Sequence, residues 1–265
     1  MNSSIFFSLK PRKFFSLPKI PSGSVLCRKR LQLPSPHASK RLCTENKEVN
    51  KSEHIKLIYP APVIFWKKVQ EFLEKHFSDE PFYQMFKVQS SPDVCLDKRE
   101  AISETLRNNV SVIAVECSSG KLVGVSLNGV LYEKDLEKPM YFHNKKLAKI
   151  SEIIMDINKE CDTFKRFCVS EIFECRSLAV HKEYRGLGLG GKILKKSEKE
   201  AKKAGYKVMK TEATSTYTYK ILRKLNHEVI LEKKYSDFLT YEKTLMDIEH
   251  LPEHTHIRIM VKEFN

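Results

Sequence analysis

Residues 175–205 constrain this chain more than any other stretch. Cys175-Arg176-Ser177-Leu178-Ala179-Val180 reads as a buried strand, Tyr184-Arg185-Gly186-Leu187-Gly188-Leu189-Gly190-Gly191-Lys192 as a basic, glycine-rich turn, and 193–205 as an amphipathic helix. That succession can hold a pyrophosphate on backbone amides. Glycine has no Cβ, so the backbone can approach phosphate oxygens and adopt positive φ. Successive N–H groups form an anion-binding nest, and the helix N-terminus adds its positive dipole end. Arg185 and Lys192 put full charges beside those amides.

Three nucleotide-binding patterns compete for this turn. A dinucleotide fold places G-x-G-x-x-G early in a βαβ unit, with an acidic residue about 20 positions later. Gly186-Leu187-Gly188 followed by Gly191 matches the letters, yet no repeated βαβ units surround it. A Walker-type loop closes on Gly-Lys-Ser/Thr, and here Ile193 follows Gly191-Lys192. The third pattern fits: Arg185-Gly186-Leu187-Gly188-Leu189-Gly190 resembles the Arg-x-x-Gly-x-Gly/Ala turn of the GNAT acetyltransferase superfamily. The bland alternative is a glycine loop that only turns a corner.

The resemblance extends over about residues 55 to 265. Two apolar runs, 111–116 and 122–127, flank Ser118-Ser119-Gly120 and read as a hairpin, similar to the central hairpin of that superfamily. Residues 217–225 read as a short helix, followed by Asn226-His227-Glu228 where the superfamily often has Leu-Gly-Phe. Asn226 takes the glycine slot, and Asn tolerates the left-handed conformation at a helix end. The resemblance implies an α/β domain with a mixed, mostly antiparallel sheet flanked by helices. Acetyl-CoA would lie in a cleft between splayed strands. It would run along the backbone of Leu178, Ala179 and Val180, with its pyrophosphate on Arg185, Gly186, Leu187, Gly188, Leu189, Gly190, Gly191 and Lys192.

Composition bounds the rest. The 265 residues suffice for one domain, expected at 53–265, behind a tail at 1–52. The net charge of +14 resembles a nucleic-acid signal, but its distribution argues otherwise. Residues 1–44 carry nine basic side chains and no acidic one, and the remainder has 38 basic against 33 acidic. A modestly positive domain suits an anionic co-substrate and needs no nucleic acid. The Ser-rich, acid-free tail has the composition of a mitochondrial transit peptide or of an inert basic tail, and disorder is expected in either case. The address expected is cytoplasmic, with a mitochondrial one left open. No apolar run approaches the roughly 18 residues of a membrane span. The seven cysteines are scattered with no Cys-x-x-Cys pair, so neither a metal nor a disulfide framework is expected. Cys117 and Cys175 fall in expected strands and read as small buried hydrophobes.

Along the domain, 55–60 reads as a strand and 62–77 as a helix. Further helices are expected at 97–107 and 145–157, strands at 172–180 and 208–212, and a terminal hairpin at 227–233 and 256–262. In the helix after the glycine turn, Ile193, Leu194, Ser197, Ala201 and Ala204 make the inward stripe. Residues 78–81 break the first helix, and the loops expected at 82–95 and 134–144 would wall an acceptor pocket.

Acylating an amine sets two demands. An aliphatic ammonium has a pKa about 10.4, so its deprotonation at pH 7 costs roughly 4–5 kcal/mol without a base. The departing thiolate must also gain a proton. Phe77-Ser78-Asp79-Glu80-Pro81 resembles a stretch of the insect-type arylalkylamine N-acetyltransferases, in which the Glu is the catalytic base. The resemblance gives that role to Glu80, with Asp79 as its rival. The plain reading is two solvated helix-end charges before a proline stop. In Glu212-Ala213-Thr214-Ser215-Thr216-Tyr217-Thr218, the same subfamily carries two proton-relaying serines four apart. The matching positions are Thr214 and Thr218, which keep the hydroxyl but add a β-branch that restricts its rotamers. These residues also suit a helix cap. Many acetyltransferases use a tyrosine as acid three positions before the Leu of Leu-Gly-Phe, and here that slot is Leu222. Glu174 and His181 read as edge or surface residues.

The expected activity is acetyl transfer from acetyl-CoA to a small primary amine of the arylalkylamine kind, in a ternary complex, by a monomer or weak dimer. Polyamines, protein lysines or longer acyl donors are alternatives. A non-catalytic acyl-CoA sensor is the reading from another class.

Overall fold

Successive side chains of the central strands alternate between two covered faces. The computed structural model describes residues 54–137, 141–238 and 253–264; the tail expected at 1–52 lies outside them. The strands are β1 (Ile55–Ile58), β2 (Val112–Glu116), β3 (Leu122–Tyr132), β4 (Glu171–Val180), β5 (Val208–Ala213), β6 (Glu228–Lys234) and β7 (His256–Glu263). They form a seven-stranded sheet in the order β1-β2-β3-β4-β5-β7-β6. Every neighbouring pair is antiparallel except β4 and β5, which run parallel. The hairpins expected at 111–127 and 227–262 are both present.

The helices are α1 (Trp66–His76), α2 (Pro81–Met85), α3 (Pro92–Arg107), α4 (Lys145–Cys161), α5 (Thr163–Phe167), α6 (Leu189–Lys203) and α7 (Thr216–Lys224). Val125, Leu127, Ala179, Ile257 and Ile259 point to one face, where α1 to α4 pack with Phe72, Phe82, Ile102 and Ile150. Their neighbours Val123, Leu178, Val180, Met209, Ala213 and Met260 point to the other face, covered by α6 and α7 through Ile193, Leu194 and Leu222. Each such large side chain contributes roughly 1.5–3 kcal/mol on burial. At one end α5 closes a smaller cluster, with Phe164 on Leu131 and Ile172.

Several boundaries differ from the sequence expectation for local reasons. The first helix begins as a 3-10 turn at Val63–Phe65 before α1 proper. The third starts at Pro92 rather than Asp97, because Ser91 accepts the Val94 N–H at 3.3 Å and proline fits the first helical position. The expected break at 78–81 is the N-cap of α2, so the loop expected at 82–95 is largely helical. Helix α6 begins at Leu189, four residues earlier than expected, and takes Gly190 and Gly191 into its first turn. Its inward stripe ends at Ala201; Ala204 is exposed. Cys175 is buried as expected, but Cys117 lies just past β2 and is exposed. Helix α7 closes as expected, with Asn226 at φ 62° and the His227 N–H reaching the Leu222 carbonyl at 3.0 Å.

Candidate active site

Strands β4 and β5 make the site possible by separating. Their register covers Phe173–Met209, Glu174–Lys210 and Cys175–Thr211, and no pair beyond that is formed among the described residues. A bulge in β4 falls at the same level: Leu127 faces Ser177 and Asn128 faces Cys175, so Arg176 is the extra residue. Bulges bend a strand and raise its twist. Leu178, Ala179 and Val180 therefore keep β3 on one side and face the widening gap on the other.

The glycine turn sits at the mouth of that gap. Gly186 has φ 80° and Gly188, the N-cap of α6, has φ 75°. A Cβ on either would meet nothing within 4 Å, so backbone conformation alone selects glycine there. The first α6 hydrogen bond at this end is Lys192 N–H to Gly188 carbonyl at 3.1 Å. The N–H groups of Leu189, Gly190 and Gly191 therefore have no carbonyl within the helix. They face a cleft of about 440 Å³ that runs from Val180 and the turn to α7. Lys192 and Leu187 are exposed on the turn.

Arg185 lines the cleft at the turn, and protein groups engage its side chain. Its guanidinium turns back into the protein: Nε donates to the Val180 carbonyl at 3.0 Å, Nη2 to the His76 carbonyl at 2.8 Å and Nη1 to Asp79 Oδ2 at 2.9 Å. The arginine thus ties the turn to the end of α1.

Glu80 follows that anchor immediately. It is fully buried, unlike the solvated helix-end charge of the plain reading. Its extended backbone makes it the N-cap of α2, and Oε2 accepts the Tyr83 N–H at 2.9 Å. The Phe82 N–H and the Thr214 side chain also bond the carboxylate. Oε1 is buried with no hydrogen-bond partner among the described residues. Burial pushes the Glu80 pKa up to about 7 against the pull of those donors. Its rival Asp79 is engaged by Arg185.

Thr214 and Thr218 are both fully buried at the β5–α7 corner. Ser215 is the N-cap of α7; its hydroxyl accepts the Thr218 N–H at 3.1 Å and donates to Thr218 Oγ1 at 3.0 Å. Capping and the two-hydroxyl arrangement thus coexist. The Thr214 carbonyl accepts the Tyr235 hydroxyl at 2.6 Å. Leu222 is fully buried among apolar side chains, so the slot of the usual acidic tyrosine belongs to the core.

The GNAT acetyltransferase family pattern matches residues 154–224. Arylalkylamine N-acetyltransferase 2 from Aedes aegypti is 30% identical, with 80% of this chain and 99% of that one covered at a TM-score of 0.69. This chain belongs to the GNAT acetyltransferase family. Two further structures share its fold. A mosquito arylalkylamine N-acetyltransferase-like 5b is 23% identical over 79% of this chain and all 100% of its own, with a TM-score of 0.70. A Drosophila melanogaster polyamine N-acetyltransferase, described as forming N-acetylagmatine, is 18% identical over 79% and 100%, with a TM-score of 0.68. Membership implies an acyl-CoA co-substrate. The cleft, the turn amides and the glycines fit such a molecule. No described helix is long and apolar enough to cross a membrane.

This acetyltransferase also holds features that the sequence reading missed. Tyr217, Lys220, Ile221 and Lys224 bring one side of α7 to the cleft; their spacing of three and four was the available signal. His181 is buried rather than superficial, and its ring lies 4.2 Å from that of His76. Glu174, expected at an edge, is fully buried in an ionic network. Its Oε2 accepts from Arg176 Nε at 3.1 Å and its Oε1 lies 2.9 Å from Lys210 Nζ. Lys210 also lies 2.9 Å from Glu212 Oε1 and donates to Asn158 Oδ1 at 2.5 Å. Burial raises the Glu212 pKa, whereas Lys210 and Arg176 outweigh burial at Glu174 and lower it. A Cβ on Gly129 would come within 2.3 Å of the Arg176 guanidinium carbon, which accounts for that glycine.

Proposed function

We propose that this GNAT enzyme transfers the acetyl group of acetyl-CoA to a small primary amine of the arylalkylamine kind, with Glu80 as general base. The observation that carries the reading is the buried Glu80 carboxylate, raised to about 7 and bonded by the Thr214 side chain. A carboxyl titrating near neutrality is still available as a base and stands closer to an ammonium pKa than an ordinary glutamate does. The amine nitrogen attacks the thioester carbonyl, so a C–N bond forms and the C–S bond breaks. Glu80, through water at Oε1, takes one proton of the ammonium before attack, and the second proton of that nitrogen passes through the hydroxyls of Thr214 and Thr218 to the departing thiolate.

The co-substrate would run along Leu178, Ala179 and Val180, with its pyrophosphate on the N–H groups of 186–191. Lys192, Lys220 and Lys224 would supply charge, and Arg185 would hold the turn. The 30% identity to an arylalkylamine N-acetyltransferase supports an arylalkylamine as the acceptor.

The test is thiol release from acetyl-CoA with dopamine, tyramine, serotonin, spermidine, agmatine and a lysine peptide. Saturable release with the aromatic amines is expected. Preference for spermidine or agmatine would overturn the amine class. Tight CoA binding with no release on any amine would overturn the enzyme reading in favour of a sensor.

A further inference from the structure

Tyr235 stands where two separate parts of the acid–base site meet. It opens the 3-10 turn Tyr235–Phe238 after β6 and is 2% exposed. Its hydroxyl donates to the Thr214 carbonyl at 2.6 Å, and its ring packs edge-on against Phe82 at 5.4 Å. Phe82 belongs to α2, the helix that Glu80 caps, whereas Thr214 ends the β5 side and bonds the Glu80 carboxylate. These two parts lie more than 130 residues apart in sequence. The Tyr235 N–H is itself fixed, donating to the Thr255 carbonyl at 3.0 Å.

We propose that Tyr235 is a positioning residue for the acid–base site: it braces the Thr214 corner against α2 and so holds the Thr214 side chain at the Glu80 carboxylate. This rests on the assignment of Glu80 as base. Tyr235 does not act as the acid. Its proton is given to a carbonyl, and burial, followed by the nearby Glu80 charge, raises its pKa well above the ordinary value. Among the described residues, the other ionisable groups bearing on this pair are Asp79, beside Glu80 in sequence, Tyr83 on α2, and Arg258, whose charge opposes the rise at Tyr235.

Tyr235→Phe keeps the ring and removes only the hydroxyl, which leaves the Thr214 carbonyl without that donor. With Thr214 loosened, Glu80 loses a donor that favours its ionised form. Turnover should fall roughly tenfold, with KM for acetyl-CoA unchanged. The acid limb of kcat/KM should move to higher pH. The Glu80 carboxyl carbon, identified by NMR through its loss in Glu80→Gln, should titrate at higher pH as well. In a Thr214→Ala background, Tyr235→Phe should add no further shift. A merely structural tyrosine would lower the melting temperature and leave the titration in place. An unmoved titration in Tyr235→Phe, or shifts that add in the double variant, would overturn the role of Tyr235 alone. Wild-type turnover in Glu80→Gln would instead overturn the base assignment, and the proposal with it.

Discussion

The Arg185 guanidinium and the Asp79 carboxylate meet at 2.9 Å, joining the glycine turn to the residue immediately before Glu80. Arg185 is 10% exposed at its side chain and Asp79 28%, so the pair is only partly screened by water. The backbone that shapes the phosphate cradle and the backbone that carries the carboxylate are therefore one mechanical unit. Asp79→Asn should raise KM for acetyl-CoA and lower kcat together, each by roughly tenfold. Steady-state kinetics check this; a change confined to one constant would show the two parts to be independent.

Glu80→Gln should reduce turnover by about 10²–10⁴ with little effect on CoA affinity. The same variant has a stability signature. The folded pKa of about 7 lies above the ordinary 4.5, so the folded state holds the extra proton between those values. Wild-type stability is therefore fullest below about 4.5 and declines as pH rises to about 7, by up to about 3 kcal/mol. Gln does not ionise. The melting temperature of Glu80→Gln relative to wild type should thus climb across that window and level off above it.

The two threonines should separate under mutation. Thr214 bonds Glu80, so Thr214→Ala should move the acid limb of kcat/KM to higher pH, and Thr214→Ser should restore it. Thr218 Oγ1 accepts from the cap residue Ser215. Thr218→Ala should leave the acid limb in place and lower kcat by roughly tenfold. Rate profiles from pH 5.5 to 9 distinguish the two.

Gly188→Ala should weaken CoA binding roughly tenfold and lower stability by about 1–2 kcal/mol. The cause is φ 75°, not crowding, because a Cβ there meets nothing. Calorimetric titration with CoA and thermal melts measure the two effects, and Gly188→Asn should be milder on both counts.

Lys210→Met should cost about 3–5 kcal/mol, because Glu174 and Glu212 would share a buried site with one cation fewer. Adding Glu212→Gln should recover part of that loss, which denaturant unfolding can quantify. If the single variant were as stable as wild type, the network would carry no net charge coupling.

The fold was legible wherever local chemistry and tertiary packing agree. The strand, glycine turn and helix at 171–203 announce themselves because glycine, basic and apolar positions each have one use there. Asn226 was readable for the same reason. Helix starts were less so: Gly190 and Gly191 have poor helix propensity, and only packing of α6 on the sheet carries the helix back to Leu189. The Ser91-Pro92 cap was a local signal that the expected start at Asp97 passed over. Glu174 could not be read, since its burial depends on Arg176 and Lys210 arriving from a bulge and from the next strand. Glu80 was legible as a motif, but its burial and its bond to the Thr214 side chain, more than 130 residues away, are long-range facts. The cleft face of α7 hid in a stretch whose lysines looked like ordinary solvated charge.

The separation of β4 from β5 divides the sheet into two leaves, β1 to β4 and β5 to β6, stitched by three residue pairs at Phe173–Cys175. Side chains on both faces pack across that seam, but its backbone pairing is confined to those three positions. An elongated molecule with amide groups, laid in the opening, would act as a further stitch and complete backbone pairing that the protein leaves to another partner. The fold's cohesion then becomes a function of co-substrate concentration, with 100-fold excess over Kd adding about 2.7 kcal/mol.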